Sequence, residues 1–147
     1  MRPPAFLILT VTALIGSGCG KGANQVLADS WHIKLDVQCK PNGKVVVDID
    51  PFVAYVDTSS SNKKAKWSLG KDGDAVNSVT IEPKEGGDWP FEGARSHTVP
   101  KGQAVESGEV KSGVALRRAY PYNIKTTCSI GGQNRVIVID PDMIIID

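Results

Sequence analysis

The chain has no excess of charge of either sign. Seventeen lysines and arginines stand against sixteen acids in 147 residues. Residues 1–18 hold one arginine and no acid, so the remainder balances at sixteen of each. A neutral domain offers no electrostatic footprint to nucleic acid or to an acidic membrane surface. The one dense basic cluster, Lys63-Lys64-Ala65-Lys66, follows the polar run Thr58-Ser59-Ser60-Ser61-Asn62 and reads as a solvated loop. No nucleic-acid partner is expected.

A bilayer-length apolar run is also missing. The run at residues 5–15 covers eleven positions, and a spanning helix needs about 20. No stretch of ten or more residues carries a helical hydrophobic period, while 15 glycines and 9 prolines favour turns. No G-x-S-x-G elbow occurs, and the chain has two histidines. His32 alternates with an apolar face and reads as exposed. His97, in Arg95-Ser96-His97-Thr98, has no nucleophile and orienting acid set beside it and reads as a loop histidine. A hydrolase would rest on His97 and scattered acids alone. The expectation is a protein with no catalytic residues and no cofactor.

Residues 1–18 carry what that apolar run is for. Arg2 gives a short positive start, residues 5–15 have the length of a signal-peptide core, and Gly16-Ser17-Gly18 supply small residues before Cys19. The stretch Gly16-Ser17-Gly18-Cys19 resembles the lipobox of bacterial lipoproteins, with glycine in place of the usual leucine at −3. The resemblance implies that the Cys19 sulfur takes a diacylglyceryl group and that the leader is cut before it. Two or three acyl chains anchor a protein stably, whereas one is marginal. Gly20 at +2 is not the aspartate that retains such proteins in an inner membrane, so an outer membrane is implied where the cell has two. A plain secretory leader with an incidental cysteine is the alternative, and gives a secreted or periplasmic protein. Residues 19–30 read as a tether. About ten flexible residues reach under roughly 20 Å, which keeps the domain at residues 31–147 close to the membrane.

With Cys19 assigned to lipid by that resemblance, Cys39 and Cys128 remain. Export implies an oxidising compartment, where a disulfide is the default for such a pair. A thiolate metal ligand is the rival role for Cys128.

The mature chain reads as strands and turns. Residues 31–39 alternate, with Ile33, Leu35, Val37 and Cys39 on one face; Pro41-Asn42-Gly43 turns, and residues 44–50 return. Further strands are expected at 52–56, 66–69 and 75–82, with Asp72-Gly73-Asp74 as a turn. Tyr120, Tyr122, Ile124, Thr126 and Cys128 share a face of the next strand, and residues 135–140 and 143–146 follow. Residues 83–113 are rich in glycine, proline and charge. They read as one long loop, with Thr98-Val99 and Ala104-Val105 as short edge strands. Such a pattern indicates an all-β, antiparallel sandwich or barrel.

The order of features from Trp67 onward resembles a cupredoxin, which implies an antiparallel Greek-key β-sandwich of cupredoxin-like or immunoglobulin-like form with one long Gly/Pro-rich loop. Lys66-Trp67-Ser68-Leu69 is similar to the strand before the first copper histidine, residues 113–128 with Tyr120-Pro121-Tyr122 to the strand bearing the copper cysteine, and Arg135-Val136-Ile137-Val138-Ile139 to the closing strand. That family binds copper through two imidazoles and a thiolate. Here no histidine follows Cys128, Asn77 or Ser78 stands where the first histidine belongs, and Met143 lies beyond the last expected strand. A copper-free relative with Cys128 paired to Cys39 is the expectation. A copper-binding electron-transfer or carrier protein, using His97, Cys128 and His32, is the alternative.

Two acidic groups suggest cations: Asp72 and Asp74 with Asn77, and Asp48, Asp50, Asp140 and Asp142 should the first and last strands adjoin. Turn chemistry and edge protection account for them more simply. The Trp89-Pro90-Phe91 group either anchors a partner or plugs one end of the sandwich. The candidate partner-binding residues are Trp89, Phe91, Arg95 and His97. The chain thus reads as a membrane-anchored envelope lipoprotein that binds an envelope protein or a small molecule, or serves as a structural component.

Overall fold

The computed structural model describes residues 31–147. The signal peptide, Cys19 and the tether expected over residues 1–30 lie outside them. The described residues form ten strands: β1 His32–Cys39, β2 Val45–Asp50, β3 Val53–Asp57, β4 Lys66–Leu69, β5 Ser78–Pro83, β6 His97–Pro100, β7 Ala104–Glu106, β8 Ala119–Ile130, β9 Gln133–Ile139 and β10 Asp142–Ile146. One sheet runs β2-β1-β4-β7. The other runs β3-β10-β8-β5-β6, with β9 also paired to β8. They pack face to face as an all-β sandwich.

Alternation builds each hairpin. Ile33, Leu35 and Val37 point inward from β1 and are buried. The β1–β2 turn closes through Lys40 N–H to Lys44 O at 2.8 Å and Gly43 N–H to Lys40 O at 2.9 Å. Gly43 sits at φ 79, a left-handed conformation that a side chain disfavours. In β8 the inward set is Tyr120, Tyr122, Ile124, Thr126 and Cys128, all buried. Gly131 and Gly132, at φ 60 and 76, make the two-residue turn into β9, the geometry that suits the twist of paired strands. The β9 pairing Ile139↔Ile124 and the β10 pairing Asp142↔Pro121 keep one register along β8. Strands β9 and β10 are therefore one hairpin arm, interrupted at Asp140-Pro141.

Two pairings are parallel, β1 with β4 and β3 with β10, where turn signals alone give antiparallel neighbours. A parallel pair needs a crossover, and here the crossover runs through the opposite sheet: the chain leaves β2, enters the second sheet as β3, and returns as β4. No local residue pattern announces such a partner.

Residues 83–113 are more ordered than a loop. Strand β6 pairs with β5 and β7 with β4, each at a sheet edge as expected. In addition, Phe91 bridges Val110, and Trp89 and Phe91 join the core. Trp67 is the largest fully buried side chain. Its indole N–H donates to the Tyr122 hydroxyl at 3.4 Å. Cys39 and Cys128 are bonded, with Cα atoms 5.6 Å apart. The bond joins β1 of one sheet to β8 of the other and closes a loop of 89 residues. In the chain-entropy view such a loop stabilises by roughly 4 kcal/mol.

Candidate functional site

A surface hollow of about 420 Å³ opens beside the connection between β5 and β6. Its floor and walls come from three separated segments, around Asp88, around Arg95, and from Lys111 to Tyr120. A tight turn starts it: Gly87 N–H donates to Lys84 O at 2.8 Å. A Cβ on Gly87 would stand 2.9 Å from that same oxygen, so the turn excludes a side chain there. The chain then drops Trp89 into the core. Trp89 stacks on Trp67 with centroids 6.2 Å apart and meets Phe91 edge-on at 5.4 Å. Its indole N–H donates to Ala94 O at 3.2 Å.

Three cations converge on this short segment. Arg95 Nη2 donates to Gly87 O at 2.8 Å, and Lys111 Nζ donates to Trp89 O at 3.0 Å. Arg118 Nη2 bonds Asp88 Oδ2 at 2.8 Å, and its guanidinium lies 5.4 Å from the Tyr120 ring centre. Tyr120 is pinned by its hydroxyl, which donates to Ala115 O at 2.7 Å. The lining thus holds Arg95, Lys111 and Arg118 against the single carboxylate of Asp88. Each arginine carries five donors, and the bonds to Gly87 O and Asp88 Oδ2 each use one nitrogen, leaving donors for a ligand. The Asp88–Arg118 pair is exposed, so it is weak and open to exchange with a competing anion. An excess of two positive charges over an aromatic wall suits a carboxylate or phosphate.

The structure divides the residues expected to bind a partner. Arg95 is exposed and lines the hollow. Trp89 and Phe91 are 4% and 0% exposed. Of the two roles the sequence leaves open for them, an exposed anchor must have apolar surface left to bury, and these rings have almost none. They plug the sandwich instead, and Trp89 contributes to the hollow's wall. His97 is half-buried in β6, its ring 5.8 Å from that of Trp67 and 6.1 Å from that of Trp89. Its Nε2 is buried without a hydrogen-bond partner, so no nucleophile is in reach of that nitrogen among the described residues.

The other candidates do not assemble. Asp48 and Asp50 belong to β2 in one sheet, while Asp142 lies on β10 in the other. Asp140 pairs with Lys84 at 3.4 Å, and Asp74 with Lys40 at 2.8 Å. No group of three His, Cys, Asp or Glu side chains is placed to hold a metal among the described residues. The copper alternative asks Cys128 for a thiolate, and its sulfur here lies in the bond to Cys39.

Sequence reading missed Asp88, Lys111, Arg118 and Tyr120 as site residues. They are up to 32 positions apart, and only the adjacent pair Arg117-Arg118 hinted at local charge. Comparison with protein-family models, with curated proteins and with solved structures gives no match for this chain.

Proposed function

We propose that this is an exported lipoprotein, held at a cell-envelope membrane through lipid on Cys19, that works by binding rather than by catalysis. The bound species is a small anion-bearing molecule or an acidic group on an envelope partner. The observation that carries the binding role is the hollow, where Arg95, Lys111 and Arg118 face one carboxylate. The inter-sheet disulfide supports an oxidising address. The lipobox resemblance at Gly16-Ser17-Gly18-Cys19 supports the anchor, and Gly20 favours the outer membrane where a cell has two.

Two measurements test the reading. Intact mass of membrane-purified protein should show loss of residues 1–18 and gain of acyl groups. Citrate and inorganic phosphate should bind the protein and lose affinity steeply between low and physiological salt, as screening dictates. Arg118→Gln should weaken both anions. An unacylated protein would remove the anchor, and anion affinity indifferent to Arg118 would remove the site.

A further inference from the structure

Resting on the anion reading of that hollow, we infer that its ligand is an amphiphile, with an anionic head at Arg95, Lys111 and Arg118 and an apolar chain in the hollow next door. A second hollow, of about 440 Å³, shares Lys111, Ser112, Gly113 and Val114 with the first. The two differ in character. The second is walled by Val110, Val114 and Leu116, with Lys63 and Glu109 also in its lining. Leu116 is 41% exposed, and Val110 and Val114 are half-buried against the core. Chain and head therefore each have a surface of matching chemistry.

Gly113 lines both hollows. It sits at φ +74 and has nothing within 4 Å of where a Cβ would stand. The turn at Arg117, φ 57, separates Leu116, which lines the apolar hollow, from Arg118, which lines the basic one. Lys111 borders both. An inorganic anion would use one hollow and leave the other wet. A head on a chain of several methylenes uses both, and each hollow has the size of an ordinary small-ligand site. Free fatty acid and anionic membrane lipid share this chemistry.

The test uses the mature chain, residues 19–147 with Cys19→Ser, which retains all the described strands and the disulfide. Calorimetric titration with phosphate, hexanoate, decanoate and decyl maltoside, each below its micelle concentration, separates the terms. Each buried methylene is worth up to about fourfold in affinity, so decanoate should bind at least about tenfold tighter than hexanoate. Decyl maltoside, with the chain and no charge, should bind at least about tenfold more weakly than decanoate. Leu116→Ser should weaken decanoate about tenfold and leave phosphate unchanged, whereas Arg118→Gln should weaken both. Equal affinity for hexanoate and decanoate, with Arg118 still required, overturns the amphiphile and leaves the anion site standing. Decyl maltoside equal to decanoate overturns the anionic head of the amphiphile, and no binding of any probe overturns both readings. Where decanoate binds, co-sedimentation of the decanoate-free protein with phosphatidylglycerol vesicles but not phosphatidylcholine vesicles assigns the membrane lipid as source. Failure to co-sediment assigns the free acid.

Discussion

The indole of Trp67 lies 6.2 Å from that of Trp89, with their planes 14° apart. One ring belongs to a strand of the first sheet, the other to the connection that forms the basic hollow. The stack therefore ties the hollow's wall to the core. Truncating Trp89 removes a buried ring and leaves a cavity. Trp89→Ala should cost about 3–5 kcal/mol in urea unfolding. Phe91→Ala should fall in the same range, and Arg95→Ala, being exposed, within about 0.5 kcal/mol. Near-equal costs for Trp89 and Arg95 would show that the ring is not packed as described.

Strand positions were legible because burial follows a period of two. Residues 31–39 and 120–128 show it plainly, and each became a strand with the marked side chains inside. Both parallel pairs were illegible, because β1 and β4 are joined only through an excursion into the other sheet. Residues 83–113 were half legible: the two-residue signals Thr98-Val99 and Ala104-Val105 marked real edge strands. The burial of Trp89 and Phe91 is not legible, since an exposed and a plugging aromatic look the same in one dimension. The hollow was read only at Trp89 and Arg95. Lys111 and Arg118 reach it because the bridge from Phe91 to Val110 folds distant segments together.

That bridge makes a glycine obligatory. A Cβ on Gly108 would collide with the backbone carbonyl of Glu92, and the neighbouring Glu92 N–H is itself bonded to Glu109 O at 2.8 Å. Neither backbone can yield without breaking the pairing that seats Phe91. Gly108→Ala should cost more than about 2 kcal/mol in thermal or urea unfolding, well above the few tenths of an ordinary surface exchange. A neutral result would mean that residues 90–92 and 107–110 separate easily.

Joining the sheets at Cys39–Cys128 constrains the unfolded chain more than it adds contact. Cys39→Ser or Cys128→Ser should lower stability by roughly 2–5 kcal/mol. Treating the wild type with dithiothreitol should reproduce the loss. Either serine variant should then be insensitive to the reductant, and a further loss in that variant would point to a different pairing.

Strand β9 leaves an edge uncovered among the described residues. Strand β3 pairs with β10, and Tyr122 N–H donates to Pro141 O at 3.2 Å. The register then puts odd residues of β9 in the bonded positions along β8 and turns the backbone groups of Asn134, Val136 and Val138 outward. Val136 and Val138 are 66% and 50% exposed. Such an edge invites pairing between chains. Val136→Lys should leave unfolding free energy within about 0.5 kcal/mol and reduce turbidity on concentration. Unchanged turbidity would show that aggregation starts elsewhere.

Tyr122 makes the fold sensitive to alkali. Its side chain is 0% exposed, and burial pushes its pKa up to about 12, against a weaker opposing pull from the Trp67 hydrogen bond. The folded state therefore holds the phenol proton through a range where the unfolded chain releases it, above about pH 10. Proton release favours the unfolded side, so stability is intact below pH 10 and falls as pH climbs toward 12. A rise from about 10 to about 12 amounts to roughly 2–3 kcal/mol by the time pH reaches the folded value. Tyr122→Phe removes this titration and also the acceptor for Trp67 Nε1 at 3.4 Å, a loss of about 1 kcal/mol at neutral pH. Wild type should thus be the more stable protein at pH 7 and the less stable at pH 12, and the two urea-midpoint curves should cross between. Parallel curves would mean that water reaches the phenol in the folded state, which a hydroxyl sealed beneath Trp67 does not allow.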